Sequence, residues 1–169
     1  MKKRLAMLVL AGAMVTSSLT GCGLKDSATV ATVAGDEIPA GLANFYARMT
    51  QAQYESMYSS YLGDNMWTTE ASEGKTYEKL VKDEVLKDLE NMYLLEDHMD
   101  DYKISLSDDE KKAIKDAAKE FSKDNDKDDK EKVSGDTEYV ERYLTLATIK
   151  QKMTDAIEAE ADTNVTDDE

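Results

Sequence analysis

Three aspartates have the most suggestive spacing in this sequence, because alternating acidic residues are found in calcium-binding loops. They are Asp124, Asp126 and Asp128. An EF-hand loop also needs a glycine at its sixth position and an acidic residue at its twelfth, and these positions hold Asp129 and Gly135. The calcium pattern therefore fails, and we expect residues 123–132 to form a solvated charged loop or a frayed helix end.

The remaining chemistry-bearing side chains are too few for the common catalytic and metal sites. The 169 residues include one cysteine and one histidine, which excludes an internal disulfide, a cysteine-rich zinc site and a two-histidine mechanism. His98 lies within a predicted helix, where a lone histidine is typically structural. The sequence has no nucleophile elbow, phosphate-binding loop or metal-binding helix motif, and no marked pair of carboxylates. It therefore predicts no catalytic residue, metal or cofactor for the chain as it stands.

Aromatic and methionine side chains are concentrated in residues 45–67, which hold six of the twelve aromatic residues. Such side chains suit a surface that adapts to many unfolded polypeptide clients, and they equally suit a helix-packing core. Both alternatives stay open from the sequence. The candidate client-binding residues are Phe45, Tyr46, Met49, Tyr54, Met57, Tyr58, Tyr61 and Trp67.

The charge balance is strongly acidic. The chain has 21 basic and 36 acidic residues, for a net charge of −15, and no basic block. Because contacts with phosphates need clustered lysine and arginine, this balance argues against a nucleic-acid partner. A hydrophobic content of 41% beside 34% charged residues is typical of a globular protein, and the length suits one domain.

The N-terminus has the pattern of an export signal. Basic residues at positions 2–4 precede an apolar run from Leu5 to Val15, which is too short to span a bilayer. The sequence Leu19-Thr20-Gly21-Cys22 then resembles the lipobox of bacterial lipoproteins. This resemblance implies a signal peptide over residues 1–21, cleavage before Cys22, and a diacylglycerol with chains such as palmitate on its sulfur. We expect the lipid to anchor the chain to the extracytoplasmic face of the cell membrane.

The sequence divides the mature chain into a polar tether, one folded domain and an acidic tail. The tether covers residues 22–29, the domain residues 30–161 and the tail residues 162–169. Hydrophobic periodicity predicts a mainly α domain with a short N-terminal β-hairpin followed by about four helices.

Turn-forming residues mark the hairpin. Residues 30–33 and 37–38 have extended character, and Ala34-Gly35-Asp36 between them supplies a turn. Pro39 then favours the start of a helix.

Apolar residues at three-and-four spacing predict the helices that follow. Ser107 and Glu110 form a capping box that begins the third of them. Residues 64–75, between the first two helices, are predicted to be a loop. The predicted helices are Ala40–Leu62, Thr76–Tyr102, a third starting at Ser107, and Asp136–Ala161.

Three groups of residues, in this order, resemble the N-terminal region of the SurA and PrsA family of extracytoplasmic foldases. They are Val30–Ile38, Leu94–Asp97 with Ile104–Glu110, and Tyr143–Met153 with Val165–Glu169. The resemblance implies a SurA N-terminal-like lobe. It also implies a membrane-anchored chaperone that binds unfolded or extended secreted polypeptides.

The chain departs from this family in lacking a parvulin module. Parvulin modules use a histidine pair, whereas this chain has only His98 and no alternating strands after residue 38. The family's peptidyl-prolyl isomerase activity is therefore not inferred. Two alternatives to a stand-alone chaperone lobe stay open: a truncated PrsA-type isomerase without its catalytic module, and a structural envelope lipoprotein with a fixed partner. The absent C-terminal segment of the family's lobe would favour a homodimer.

Removal of the sulfur tests the predicted anchor. We expect Cys22→Ala to move the protein from the membrane fraction to the soluble fraction, because two acyl chains are needed for stable anchoring and Cys22 is their only attachment point. Fractionation after a high-salt wash measures this, with the unaltered protein as the control. A Cys22→Ala protein that stays with washed membranes would contradict the lipid anchor.

Overall fold

The computed structural model of the chain describes residues 25–63, 65–72 and 74–160. The predicted signal peptide, Cys22 and the acidic tail lie outside these residues. The fold is mainly helical, with an N-terminal antiparallel hairpin followed by five helices. The predicted fold class is thereby confirmed, with one helix more than the four expected. No helix in the described part of the chain is both long and apolar enough to cross a bilayer.

Strands β1 (Thr29–Val33) and β2 (Asp36–Pro39) form the predicted hairpin. Ala34 and Gly35 connect them with φ values of 53° and 101°. Positive φ at both central residues matches the right-handed twist of the strands, which is why two-residue hairpin turns favour it. The hairpin brings Ile38 into the core, where its side chain is fully buried.

Helix α1 (Ala40–Leu62) has the predicted bounds, and its first turn is held by the residues that precede β1. The amide nitrogens of Ala40 and Gly41 donate to the carbonyl oxygens of Ala28 and Asp26, at 2.7 and 2.8 Å. These bonds satisfy amides that a helix cannot pair internally. A Cβ on Gly41 would lie 2.4 Å from the ring of Tyr139, so only glycine fits this contact. The end of the predicted tether is thus bound to α1.

The segment between the first two long helices is more ordered than the predicted loop. It contains a 3-10 helix (Met66–Thr68) and a small antiparallel hairpin of β3 (Glu70–Ser72) and β4 (Lys75–Thr76). The Met66 side chain is almost fully buried, and its burial fixes the segment against the domain. Three-residue and two-residue strands are too short to give a periodic pattern, so the sequence prediction of a loop was wrong here.

Thr76 is the N-cap of helix α2 (Tyr77–Asp97), and its hydroxyl accepts a hydrogen bond from the Lys79 amide at 3.3 Å. It is shorter than predicted, because residues Met99–Tyr102 form a separate 3-10 helix that ends at Lys103. Lys103 adopts φ 57°, a left-handed conformation that stops a helix. His98 caps α2 at the surface, with Nδ1 3.0 Å from an oxygen of Asp101.

Helix α3 (Asp108–Asp124) starts with the predicted capping box. The hydroxyl of Ser107 accepts from the Glu110 amide at 3.2 Å, and the Glu110 carboxylate accepts from the Ser107 amide at 2.7 Å. Lys152 donates to both oxygens of the same carboxylate, at 2.9 and 2.8 Å. One glutamate therefore both starts α3 and joins it to the last helix.

Residues predicted to be a solvated loop or a frayed end instead form helix α4 (Lys127–Val133). Asp126, one of the three alternating aspartates, caps this helix by accepting from the Asp129 amide at 2.9 Å. Capping and the helix dipole thus stabilise a helix that has almost no apolar face. Helix α5 (Thr137–Glu160) follows and reaches the last residue that the structure describes.

The main core lies between the hairpin and helices α1, α2 and α5. A second, smaller cluster joins α1, α3 and α5. The buried residues of the main core are Ile38, Leu42, Ala43, Val81, Val85, Leu89, Met92, Tyr93 and Leu146. At its edge, Arg142 of α5 donates two 2.6 Å hydrogen bonds to the Glu96 carboxylate, with its guanidinium 4.6 Å from the centre of the Tyr93 ring. This bidentate pair fixes the rotation of α5 against α2.

The Glu110 junction predicts a pH-dependent contribution to stability. Hydrogen bonds from Lys152 and the Ser107 amide lower the pKa of Glu110 from 4.5 to about 2. A depressed folded-state pKa stabilises the fold above about pH 4.5, and this contribution is lost as the pH falls towards 2. Glu110→Gln should therefore lower the urea midpoint at neutral pH, and the difference from the unaltered protein should vanish near pH 2.

The matched control is Glu120→Gln on the same helix, since the Glu120 carboxylate is exposed and makes no ion pair within the described residues. We expect this control to follow the unaltered protein at every pH. A Glu110→Gln deficit that persists near pH 2 would contradict the electrostatic origin of the effect.

Candidate functional site

Helix α1 changes from a core element to a surface element along its length. Its first two turns are covered by the hairpin and by α2, α3 and α5, and Leu42, Ala43 and Phe45 are buried there. The half that starts at Met49 contacts the domain mainly through Tyr54, which packs at the edge of the main core. The two halves of α1 therefore have different environments.

Phe45 and Tyr46, the first two candidate client-binding residues, lie in the covered half. Phe45 is 2% exposed and makes edge-on contacts with the rings of Phe121 and Tyr143, at centroid distances of 5.5 and 5.7 Å. The Tyr46 ring lies 4.9 Å from the Tyr143 ring. The structure thus places Phe45 in interior packing, where a client polypeptide has no access, and leaves Tyr46 half-buried at the edge of the core.

A polar network fixes the Tyr46 hydroxyl. It donates to one oxygen of Asp88 at 2.6 Å, and Lys150 of α5 donates to the other oxygen at 2.6 Å. Burial, followed by the hydrogen bond to Asp88, raises the pKa of Tyr46 well above its ordinary value. The phenol therefore keeps its proton and serves as a donor that links α1 to α2.

An open groove of about 320 Å³ runs beside this network, between α1 and α2. Its lining is mixed in polarity and includes one buried apolar residue, Val85. The lining residues are Tyr46, Thr50, Glu84, Val85, Lys87, Asp88 and Asn91.

Tyr54 and Trp67 form an aromatic cluster beyond the groove. The Tyr54 ring lies 6.3 Å from the Trp67 ring, and its hydroxyl donates to Glu84 at 3.3 Å. Trp67 Nε1 donates to Glu55 at 2.8 Å. Burial and the nearby Glu84 carboxylate raise the pKa of Tyr54, so it too remains a donor. Each ring is held by one polar atom and leaves part of its apolar face in solvent.

Met57, Tyr58 and Tyr61 extend the cluster along the exposed face of α1. Their exposed fractions are 55%, 40% and 85%, and the Tyr58 ring lies 5.6 Å from that of Tyr54. At about 100° per residue, Tyr54, Met57, Tyr58 and Tyr61 share an arc of about 100°. We define the distal patch as these four residues together with Trp67.

Met49, the remaining candidate, lies outside the distal patch. It is 48% exposed, but it projects about 80° away from Met57 on the helical wheel. It is thus an isolated apolar residue at the surface, which is common in soluble proteins.

The carboxylates that hold the rings were not foreseen from the sequence. Glu84 and Asp88 lie four residues apart on α2, each adjacent in sequence to a buried residue of the apolar stripe, Val85 or Leu89. A carboxylate at the edge of a buried helix face could have been recognised from the sequence as a candidate partner for a tyrosine, because tyrosines on a neighbouring helix reach such an edge with their hydroxyls. Within the described residues, no group of three acidic, cysteine or histidine side chains could hold a metal ion.

Comparison of the chain with protein-family models, with curated proteins and with solved structures gave no match. The resemblance to the SurA and PrsA family stays a prediction.

The division of α1 into two environments predicts unequal effects on stability. Phe45→Ala should lower the free energy of unfolding by about 3 to 4 kcal/mol, because it removes a buried ring with several aromatic contacts. Tyr61→Ser should change it by about 0.5 kcal/mol or less, because the residue is exposed and serine has a similar helix propensity. Urea unfolding of the two variants measures both values. Similar losses in both variants would contradict the assignment of the distal half to the surface.

Proposed function

We propose that this protein is a lipid-anchored, chaperone-like lipoprotein at the extracytoplasmic face of the cell membrane. In this proposal Cys22 carries the lipid, and the distal patch binds unfolded or extended segments of secreted polypeptides. Binding is noncovalent and needs no cofactor.

The observation that carries the proposal is the exposure of large apolar side chains along one face of the distal half of α1. A side chain buried in a core needs no further explanation, and Phe45 is of this kind. Tyr61, at 85% exposure, and Met57, at 55%, are not. Contiguous exposed apolar residues on a soluble protein are typical of interaction sites.

The side chains of the distal patch combine rigid and adaptable elements. Tyr54 and Trp67 are held by hydrogen bonds to Glu84 and Glu55, so little conformational entropy is lost when a client packs against them. Met57 is unbranched and polarisable, and it can adjust to side chains of different shape. This combination favours binding of many sequences over recognition of one.

The expected affinity is modest. A contact of about 400 Å² contributes about 10 kcal/mol at about 25 cal/mol per Å². The loss of translational and rotational freedom offsets about 4 kcal/mol of this or more. What remains corresponds to micromolar or weaker binding. Such binding suits a protein that holds a client briefly and then releases it.

The fold also sets where the distal patch lies relative to the proposed anchor. Asp26 is bonded to the first turn of α1 and is four residues from Cys22, a span of at most about 14 Å. The 20 residues from Gly41 to Tyr61 extend about 30 Å along the helix. In this proposal the lipid and the distal patch are therefore associated with opposite ends of α1.

Removal of two exposed rings tests the proposal. We expect Tyr58→Ser with Tyr61→Ser to raise the amount of protein needed to suppress aggregation of an unfolded client by about fivefold or more, because the largest exposed apolar surfaces are lost. Light scattering during dilution of a denatured client measures this.

The matched control is Ala52→Ser with Gln53→Ser, two exposed positions on the same helix outside the distal patch. Both double variants should keep the urea midpoint of the unaltered protein to within a small shift. The proposal fails if the unaltered protein does not suppress aggregation, or if the tyrosine variant suppresses it equally well.

A further inference from the structure

Two carboxylates at the border of the distal patch are bonded only to neutral donors. Glu55 accepts from Trp67 Nε1 and from the Gln51 side chain, both at 2.8 Å. Glu84 accepts from the Tyr54 hydroxyl at 3.3 Å. Neither lies within 4.0 Å of a lysine, arginine or histidine nitrogen in the described part of the chain. Both residues are exposed at the surface.

Neighbouring acidic residues, in contrast, have lysine partners. On the same helix as Glu84, Glu78 is paired with Lys82 at 2.5 Å, and Asp83 is paired with Lys79 at 3.2 Å. Further along the groove, Lys150 neutralises Asp88 at 2.6 Å. Lys87 also lines this part of the groove. Glu55 and Glu84 therefore differ from these neighbours in having no cationic partner within the described residues, and exposed aromatic side chains adjoin them.

From this juxtaposition we infer that the distal patch selects extended polypeptide segments that carry lysine or arginine next to apolar side chains. The inference rests on the proposed function and specifies its substrate class. Each carboxylate has lone pairs left for a cationic donor. The faces of Tyr58 and Tyr61 offer a further favourable site for the same cation. A segment with acidic neighbours would instead meet Glu55 and Glu84 with like charge.

The charge of the whole chain argues against the two other plausible occupants. A second copy would bring another net charge of −15 and would place two pairs of unpaired carboxylates against each other. An anionic membrane surface would be repelled for the same reason. A cationic, partly apolar segment is complementary both to the negative charge and to the exposed apolar side chains of the distal patch.

Three fluorescent peptides with one apolar sequence and lysine, glutamine or glutamate flanks test the inference. At low salt we expect the lysine peptide to bind the purified protein about tenfold more tightly than the glutamine peptide, and the glutamate peptide to bind least. At about 1 M salt the affinities should converge to within about twofold, because screening acts over a few ångströms there. Fluorescence anisotropy measures each dissociation constant.

Glu55→Gln with Glu84→Gln separates the local charges from the overall charge. The amide oxygens can still accept from Trp67 and Tyr54, so the rings keep their partners, and the lysine peptide should lose its tenfold advantage. Glu120→Gln with Glu158→Gln changes the net charge equally at exposed sites far along the sequence, and it should keep the advantage.

The possible results are distinguishable. If all three peptides bind equally and Tyr58→Ser with Tyr61→Ser weakens all of them, charge selection is wrong and the proposed function stands. If none binds, both are wrong. Equal loss of the advantage in the two glutamate double variants would overturn the local origin of selection. A dimer in sedimentation that Tyr61→Ser dissociates, and that peptides do not displace, would make a second copy the occupant.

Discussion

The packing of the first half of α1 is the constraint on which the other features depend. Leu42, Ala43 and Phe45 fill the space between the hairpin, α2 and α5, and Gly41 permits the ring of Tyr139 to contact the helix backbone. A continuous helix fixed firmly at one end is fixed in direction at the other. The distal half therefore keeps its position with few contacts of its own, and its side chains remain available to solvent. A loop carrying the same residues would lose more entropy on binding a partner.

Carboxylates organise much of this acidic chain. Asp126 and Glu110 cap helices, Glu96 and Asp88 fix α5 against α2, and several aspartates and glutamates pair with lysines one helical turn away. Exposed pairs of this last kind contribute little stability individually. Their effect is to place a positive charge beside each of these carboxylates, which reduces the repulsion between the acidic side chains. Glu55 and Glu84 at the distal patch accept hydrogen bonds from neutral donors only, and in this they differ from Asp88, Glu96 and Glu110.

The sequence predicted the elements whose signals are local. The hairpin follows from its turn, the bounds of α1 from Pro39 and Gly63, and the start of α3 from its capping box. The errors have identifiable physical causes. Helix α4 depends on the cap at Asp126 and has almost no apolar stripe, and the hairpin of β3 and β4 is too short for periodicity to reveal. Helix α2 ends early because residues Met99–Tyr102 form a 3-10 helix, which in turn ends at Lys103 with a left-handed backbone that lysine adopts rarely.

The candidate site could be predicted in composition but not in exposure. Three-and-four spacing places Tyr46, Tyr54, Tyr58 and Tyr61 near one face of α1, and it does not reveal where the elements that cover this face end. That limit depends on the crossing of α5 and on contacts between residues about 100 positions apart, such as Tyr46 with Tyr143. An amphipathic stripe longer than its cover leaves apolar surface without an internal partner. Water does not stabilise such surface. The apolar stripe of α1 extends beyond the elements that cover it, and this uncovered part is the physical argument for an external partner. The carboxylates of Glu55 and Glu84, which have no cationic partner, indicate the chemistry of that partner.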